Sequence, residues 1–282
     1  MVTATITATP PPKILPTKII TLPTQDELPC DDDIPMETGR HKMQMDLLID
    51  TTEYWLKQRS DGFTSGNMFV YFSASQLRNQ DFRGPDFFVV LGVPKGERKS
   101  WVVWEEEKAP DVVIELLSES TIEMDKVTKK QIYQDKMRVG EYFWYDPHNP
   151  TDWAGFSLQN SVYQPIPLDS QNRYISQKLG LALVRWEGSY RDIYTTWLRW
   201  TSLEGELVPN KYELAERAEQ HAEQVQRYAE QVQQQAEEAQ QQAERTQQNL
   251  TLVEEKARVL QTQNDRLAAK LKELGIDPGQ LV

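Results

Sequence analysis

A carboxylate within an apolar run is the first feature of the sequence that suggests chemistry. Residues 111–117, "DVVIELL", have the composition of a buried strand, yet Glu115 interrupts them. An isolated buried charge is costly unless a cation or hydrogen-bond donors compensate for it. If this run is a strand, Glu115 therefore needs such a partner, and a site residue is a better explanation for it than an ordinary core position.

A second acidic residue stands before a similar run. The segments "GPDFFVVLG" and "APDVVIELLS" each open with a Pro-Asp pair, so Asp86 and Asp111 lie at the entrances of two predicted strands. Carboxylates of Asp86 and Glu115 that converge from neighbouring strands would suit a hard divalent cation, which takes oxygen ligands. Pro-Asp is also common turn chemistry. We prefer that structural explanation for Asp111, but not for Asp86.

The segment after the second strand supplies cations. Lys126, Lys129 and Lys130 lie in a predicted helix without a clean apolar stripe, so periodicity does not decide which of them faces Glu115. Asp125 and Lys129 are spaced i, i+4, which also fits a surface ion pair. The net charge of −12 argues against loose attraction to nucleic acid or an anionic membrane. A phosphate site must therefore draw on local lysines or on metal ions.

The surrounding pattern predicts a mixed α/β domain. A helix starts at about Thr38, and the cationic helix lies between two predicted strands. Short β-branched and aromatic runs predict strands at 68–72, 87–91, 101–104, 112–117, 142–145, 162–166 and 181–186. Residues 1–33, rich in Thr and Pro, are predicted to be disordered, which leaves 34–205 as the folded domain. No signal peptide or membrane span is evident, and Cys30 is the only cysteine, so we expect a cytoplasmic protein.

Residues 206–282 change to an Ala-, Glu- and Gln-rich composition with a heptad pattern. Apolar or small residues recur at alternating spacings of four and three from Ala218 to Leu274, which predicts a coiled-coil helix. Asn264 falls at an a position and favours a parallel homodimer. The Ala-rich first half is also compatible with a single solvated helix.

The run "APDVVIELLSEST…D…K…Y…GEYFWYDP" strongly resembles the Uma2 family, also known as DUF820, of restriction-endonuclease-like proteins with the PD-(D/E)xK nuclease fold. The resemblance extends from about Met36 to the C-terminus and includes "WVVWEE", "TTWLRW" and "LAAKLKELGIDP". It implies an α/β fold with a restriction-endonuclease-like mixed central sheet flanked by helices, followed by the long C-terminal coiled-coil helix.

The resemblance also implies a metal site. In the nuclease superfamily an Asp and a Glu hold one or two Mg²⁺ ions, and a Lys orients or activates the attacking water. By position, Asp86 and Glu115 become catalytic metal ligands, and the carbonyl of Leu116 becomes a possible further ligand. The implied cofactor is Mg²⁺, with Mn²⁺ as a substitute.

The lysine departs from the superfamily pattern. It normally lies two residues after the Glu, where this chain has Leu117. Uma2-like sequences carry it in the next helix instead, which implies Lys129 here, four residues before Tyr133. Secondary candidates are Asp111, Asp125 and Tyr133, together with Glu37 and His41 of the first helix, where nuclease-fold proteins sometimes add an acidic ligand.

Three functions are compatible with this fold. The leading hypothesis is a Mg²⁺-dependent endonuclease that hydrolyses DNA through Asp86, Glu115 and Lys129. The alternative is a catalytically silent nuclease-fold protein that serves binding or assembly, with the coiled coil as its dimerisation tail. A third hypothesis is a metal-dependent phosphodiesterase that acts on RNA or nucleotides.

Overall fold

The chain forms two compact units in its computed structural model, which describes residues 22–29, 38–73 and 82–275. The division falls between Lys211 and Tyr212. The first unit is the predicted mixed α/β domain, and the second is the long C-terminal helix. The α-helices are α1 (Gly39–Lys57), α2 (Val103–Glu106), α3 (Lys130–Ile132) and α4 (Lys211–Glu273). The strands are β1 (Phe63–Ser65), β2 (Val70–Tyr71), β3 (Phe82–Arg83), β4 (Phe87–Val90), β5 (Trp101–Val102), β6 (Val112–Leu116), β7 (Glu141–Tyr145), β8 (Trp153–Gln159), β9 (Val162–Pro165), β10 (Tyr174–Ser176), β11 (Leu181–Tyr190) and β12 (Ile193–Thr201).

The central sheet has six strands in the order β1-β4-β6-β7-β8-β9. Strands β6 and β7 are parallel, and all other neighbours in this sheet are antiparallel. The predicted pairing of 87–91 with 112–117 is confirmed, because Phe87 lies opposite Ile114 and Phe88 opposite Val113. Continuing this register places Asp86 opposite Glu115.

Both faces of the sheet are covered, which explains the apolar character of β6. One face packs against α1 and the antiparallel sheet β10-β11-β12 through a core that includes Ile114 and Leu116. The opposite face, which carries Val113, packs against Tyr133 and Met137 of a helical segment. Because side chains alternate along a strand, Glu115 belongs to the face of Val113.

The segment that covers this face is only partly α-helical. We call it the site helix; it consists of a π-helical stretch Met124–Lys129, the short α3, and a second π-helical stretch Tyr133–Met137. It ends at Arg138, which has the left-handed backbone conformation (φ 58°). π-Helical turns are rare and are found frequently at functional sites.

Residues 22–29, within the segment predicted to be disordered, contact a third sheet of order β3-β2-β5. Leu28 is buried against Tyr71 and Val102, and the Tyr71 hydroxyl donates a 2.6 Å hydrogen bond to the Pro29 carbonyl. The other residues of that segment lie outside the described ranges. The strand prediction for 101–104 is correct only as far as Val102, since α2 begins at the next residue.

The second unit confirms the predicted long C-terminal helix. Helix α4 covers 63 residues, and none of its side chains is buried within the described chain. Leu260 and Leu267, two of the predicted seam residues, are 59% and 60% exposed. The coiled coil itself remains a prediction. No helix within the described ranges is long and apolar enough to cross a membrane.

Gly66, the residue after β1, lies close to the backbone of Asp86. A Cβ atom on Gly66 would lie 2.4 Å from the Asp86 carbonyl oxygen and 2.7 Å from the Met45 sulfur. The Gly66→Ala variant must therefore move backbone atoms as well as the Met45 side chain. We expect a loss of about 1–3 kcal/mol in the free energy of unfolding, as for other overpacked sites. Urea unfolding of the purified protein measures it.

Gly39→Ala is the matched control, because a Cβ there meets no atom within 4 Å. This variant should be as stable as the wild type or slightly more so, since alanine favours the helix. Equal stability of the Gly66→Ala and Gly39→Ala variants would contradict the packing described at β1.

Candidate active site

Two neighbouring strands bring the principal acidic residues together. Asp86 immediately precedes β4, and Glu115 lies near the end of β6. An oxygen of the Asp86 carboxylate, Oδ2, accepts a 2.7 Å hydrogen bond from the backbone amide of Leu116. Glu115 is 0% exposed, whereas Asp86 is only partly buried. Asp86 therefore forms the more accessible side of the carboxylate pair.

The site helix supplies the partners that Glu115 requires. The ammonium group of Lys129 lies 3.1 Å from Glu115 Oε2, and the Tyr133 hydroxyl donates a 2.5 Å hydrogen bond to Glu115 Oε1. Lys129 also lies 2.8 Å from Oδ1 of Asp125, which is 1% exposed. The structure thus brings Asp86, Glu115, Asp125, Lys129 and Tyr133 into one cluster.

Two other lysines of the site helix, Lys126 and Lys130, point elsewhere. Lys126 forms a 2.6 Å ion pair with Asp152, and its ammonium group lies 5.5 Å from the centre of the Trp144 ring. Lys130 lies 3.5 Å from the centre of the Phe156 ring. Helical periodicity did not decide which of Lys126, Lys129 and Lys130 faces Glu115. In the structure it is Lys129.

The spacing of the cluster explains why periodicity failed. Asp125, Lys129, Tyr133 and Met137 follow one another at intervals of four residues, and all four point toward the sheet. In an α-helix each such interval drifts by about 40° around the axis. A π-helical turn, with i→i+5 hydrogen bonds, contains more residues than an α-helical one. Four residues there cover less than a full turn, which offsets the α-helical drift and keeps these side chains on one face.

Burial dominates the protonation of the acidic groups. It raises the pKa of Glu115 to about 7 even though Lys129 opposes this, and the nearby charge of Asp86 adds to the increase. Burial likewise raises the pKa of Asp86 and of Asp125. The ionised carboxylates are therefore less stable here than in water, and a further cation would favour them.

The pKa values of the two hydrogen-bond donors, Lys129 and Tyr133, are also raised. Burial alone would lower the pKa of Lys129, but the charges of Glu115, Asp125 and Asp86 outweigh that effect and raise it. The pKa of Tyr133 is raised well above its ordinary value by burial, and the charge of Glu115 raises it further. At neutral pH the site thus presents a charged ammonium group and a neutral phenol.

The remaining predicted residues lie apart from the cluster or outside the described ranges. Asp111 is at the opposite end of β6, where it accepts a hydrogen bond from the Leu91 amide (2.7 Å) and pairs with Lys108 (2.9 Å). This agrees with a structural role for Asp111. Glu37 lies outside the residues that the structure describes.

His41 is buried, and both of its ring nitrogens have partners. Nε2 lies 2.8 Å from the Leu117 carbonyl, to which it donates, and Nδ1 lies 2.8 Å from the Thr38 hydroxyl. Neither nitrogen is therefore available to a metal in this arrangement. The ring lines a cavity of about 800 Å³ at the ends of β6 and β7, together with Ser118 and His148.

The donor atoms fit a hard cation that retains much of its water. Asp86 and Glu115 provide carboxylate oxygens. Lys129 contacts Glu115 and Asp125 and is also affected by the charge of Asp86, so the three carboxylates and the ammonium group have a net charge of −2 if all are ionised. Within the described ranges no three His, Cys, Asp or Glu side chains are arranged to enclose a metal ion. Two carboxylates completed by water and substrate phosphate are typical of Mg²⁺ sites.

Comparison with known proteins identifies the family. The model of the Uma2 family, described as "Putative restriction endonuclease", matches residues 30–187. A crystal structure of "a putative nuclease belonging to DUF820" from Anabaena variabilis is 19% identical, and the alignment covers 49% of this chain and 76% of that one with a TM-score of 0.35. No curated protein matches the chain. The family model covers more than half of the residues, and the chain belongs to the Uma2 family.

Proposed function

We propose that this protein is a Mg²⁺-dependent endonuclease that hydrolyses phosphodiester bonds in DNA. The observation that carries the proposal is the convergence of Asp86, Glu115 and Lys129 from two adjacent strands and the helix packed across them, with Lys129 Nζ 3.1 Å from Glu115 Oε2. The family description supports nuclease chemistry. Net charge does not oppose this function, because the cation and the lysine act locally.

Each residue of the cluster has a distinct role in this proposal. Asp86 and Glu115 would hold the cation, with the Leu116 carbonyl as a further oxygen donor, and Mn²⁺ could replace Mg²⁺. When bound, the cation would polarise the scissile phosphate and stabilise charge on the leaving oxygen. Tyr133 fixes the orientation of Glu115 through its 2.5 Å hydrogen bond.

The raised pKa of Lys129 restricts what that residue does. In the metal-free site this lysine is charged at neutral pH, and in that state it does not accept a proton from water. Its ammonium group instead donates hydrogen bonds to the attacking water or to a phosphate oxygen, which orients the reactants and offsets developing negative charge. A protonated lysine is suited to that task.

A catalytically silent binding or assembly protein is the second candidate, and one observation favours it. Glu115 is completely buried, and Lys129 already neutralises part of its charge. In this second candidate the same cluster is only a structural element of the fold. The third hypothesis, RNA or a nucleotide as substrate, requires the same residues and differs only in what is cleaved.

Glu115→Gln provides the direct test of catalysis. The amide has the shape of the carboxyl group but is a poor ligand for Mg²⁺, so we expect cleavage of plasmid and linear duplex DNA in MgCl₂ to fall by at least 100-fold, on the order of 3 kcal/mol of transition-state stabilisation. Asp86→Asn should behave likewise. Glu123→Gln, an exposed acid beside the site helix, is the control and should cleave at the wild-type rate.

Parallel assays on single-stranded DNA and RNA separate the substrate classes. A wild-type protein that cleaves none of these substrates in MgCl₂ or MnCl₂ would favour the silent alternative. Cleavage of RNA alone would replace DNA as the substrate while leaving the assigned residues in place.

The pKa of Glu115 predicts how stability depends on pH in the metal-free protein. Since its folded-state value of about 7 exceeds the ordinary 4.5, the folded state binds the proton more tightly, and this group lowers stability as pH rises from about 5 to 8. Between pH 6 and pH 8 we expect a loss of about 1 kcal/mol from Glu115. Urea unfolding with a chelator present at both pH values measures it.

Glu115→Gln should remove this contribution to the pH dependence of stability. At pH 8 the variant should be at least as stable as the wild type. Tyr133 can still donate to the amide oxygen, and Lys129 keeps Asp125 as its partner. MgCl₂ should raise the stability of the wild type and not that of the variant. A variant that is several kcal/mol less stable at pH 8, with or without metal, would assign Glu115 a purely structural role.

We expect the protein to be cytoplasmic. We propose that two copies associate through their α4 helices. The seam from Ala218 to Leu274 contains no charged residue, and Asn264 favours a parallel, in-register dimer. Sedimentation velocity of the full chain at micromolar concentration should show a dimer. Asn264→Leu should stabilise association but broaden the distribution of oligomers, whereas Gln248→Leu, outside the seam, should not. A strictly monomeric wild type would exclude the coiled coil.

A further inference from the structure

Asp125 is a buried acid that the proposed catalytic core does not require. Its side chain is 1% exposed, and Oδ1 lies 2.8 Å from the Lys129 ammonium group. Its backbone is held on both sides, because its amide donates to the Thr121 carbonyl (2.9 Å) and its carbonyl accepts from the Tyr142 hydroxyl (2.8 Å). The backbone of Asp125 is therefore held in position. Its carboxylate is buried beside Lys129 rather than solvated at the surface.

Lys129 has two carboxylate neighbours in this arrangement. Glu115 lies on the side of the sheet, and Asp125 lies one turn earlier on the site helix. A divalent cation bound by Asp86 and Glu115 would compete with the ammonium group for the Glu115 oxygens. It would also repel that group, because like charges a few ångströms apart interact strongly where water is scarce. Lys129 would then leave the site unless another carboxylate held it.

We infer that Asp125 is a positioning residue that keeps the Lys129 ammonium group beside the divalent cation. This inference rests on the proposed function. With a cation of charge +2 present, Asp86, Glu115 and Asp125 balance the cation and Lys129 together, so the cluster becomes neutral. Asp125 thus completes the charge of the loaded site without being a ligand, and it acts through Lys129.

A simple structural ion pair is the competing explanation. It predicts that Asp125→Asn weakens the folded protein in the absence of metal and leaves the response to metal unchanged. The positioning role predicts the reverse, since neutralising one of three crowded carboxylates relieves repulsion in the metal-free state. The two explanations therefore predict opposite changes in the metal-free stability of Asp125→Asn. They also predict different changes in its affinity for metal.

The experiment is a MgCl₂ titration of the full chain, followed by thermal unfolding. Metal-free Asp125→Asn should melt at the wild-type temperature or above it. The MgCl₂ concentration that gives half of the maximal stabilisation should rise at least tenfold, and kcat for DNA cleavage should fall more than KM changes. Asp125→Glu, which restores the charge, should recover part of both. Glu123→Gln should match the wild type.

A second background tests whether Asp125 acts through Lys129. In Lys129→Gln there is no ammonium group to retain, so adding Asp125→Asn should change the MgCl₂ midpoint by less than about threefold. An equal shift in both backgrounds would mean that Asp125 attracts the cation directly, and the inference would be wrong. A wild-type midpoint in Asp125→Asn, combined with a lower metal-free melting temperature, would establish the structural ion pair instead.

Failure of the broader proposal has a different signature. If MgCl₂ neither stabilises the wild type nor supports cleavage, the metal site is absent and both proposals fall. If the wild type responds to metal, Glu115→Gln does not, and Asp125→Asn behaves as the wild type, only the role of Asp125 is refuted.

Discussion

The burial of Glu115 depends on Lys129, and much of the domain is arranged around that pair. Strand β6 lies inside a sheet with both faces covered, so this carboxylate has no exposed surface in the metal-free protein. Its charge is compensated by one ammonium group and one phenol, both from the site helix. The position of the helix on the sheet and the chemistry of the site are therefore set by the same contacts.

The sheet around the site could be predicted from sequence because strand geometry is simple. The period of two identified the face of Glu115, and two similar runs of suitable length identified β4 and β6 as partners, which placed Asp86 beside it. A charge inside a buried strand also required a partner, and the structure contains two. Predictions at the strand ends were weaker, as at Val103, where tertiary context turns a strand-like segment into α2.

The choice of lysine could not be predicted from helical periodicity, for a physical reason. The residues that face the sheet recur every four positions, a period that an α-helix does not have and that the π-helical stretches create. Family resemblance implied Lys129, but the residues alone left Lys126 and Lys130 equally possible. The hydrogen bond from Tyr133 to Glu115 depends on the placement of that helix, so sequence suggested Tyr133 only as a secondary candidate.

The π-helical stretches have a consequence for how this segment tolerates changes in length. An α-helix has stronger hydrogen-bond geometry, so removal of a single exposed residue such as Thr128 would allow the segment to relax into a more regular and more stable helix. The same deletion would change the interval between Asp125 and Lys129 from four residues to three, and the wide turn that aligns both with Glu115 would be lost. The four-residue spacing that brings Asp125, Lys129 and Tyr133 to the sheet together would then be interrupted. Substitutions at Thr128 should be harmless where its loss is not, so this stretch constrains the number of residues more strictly than their identity.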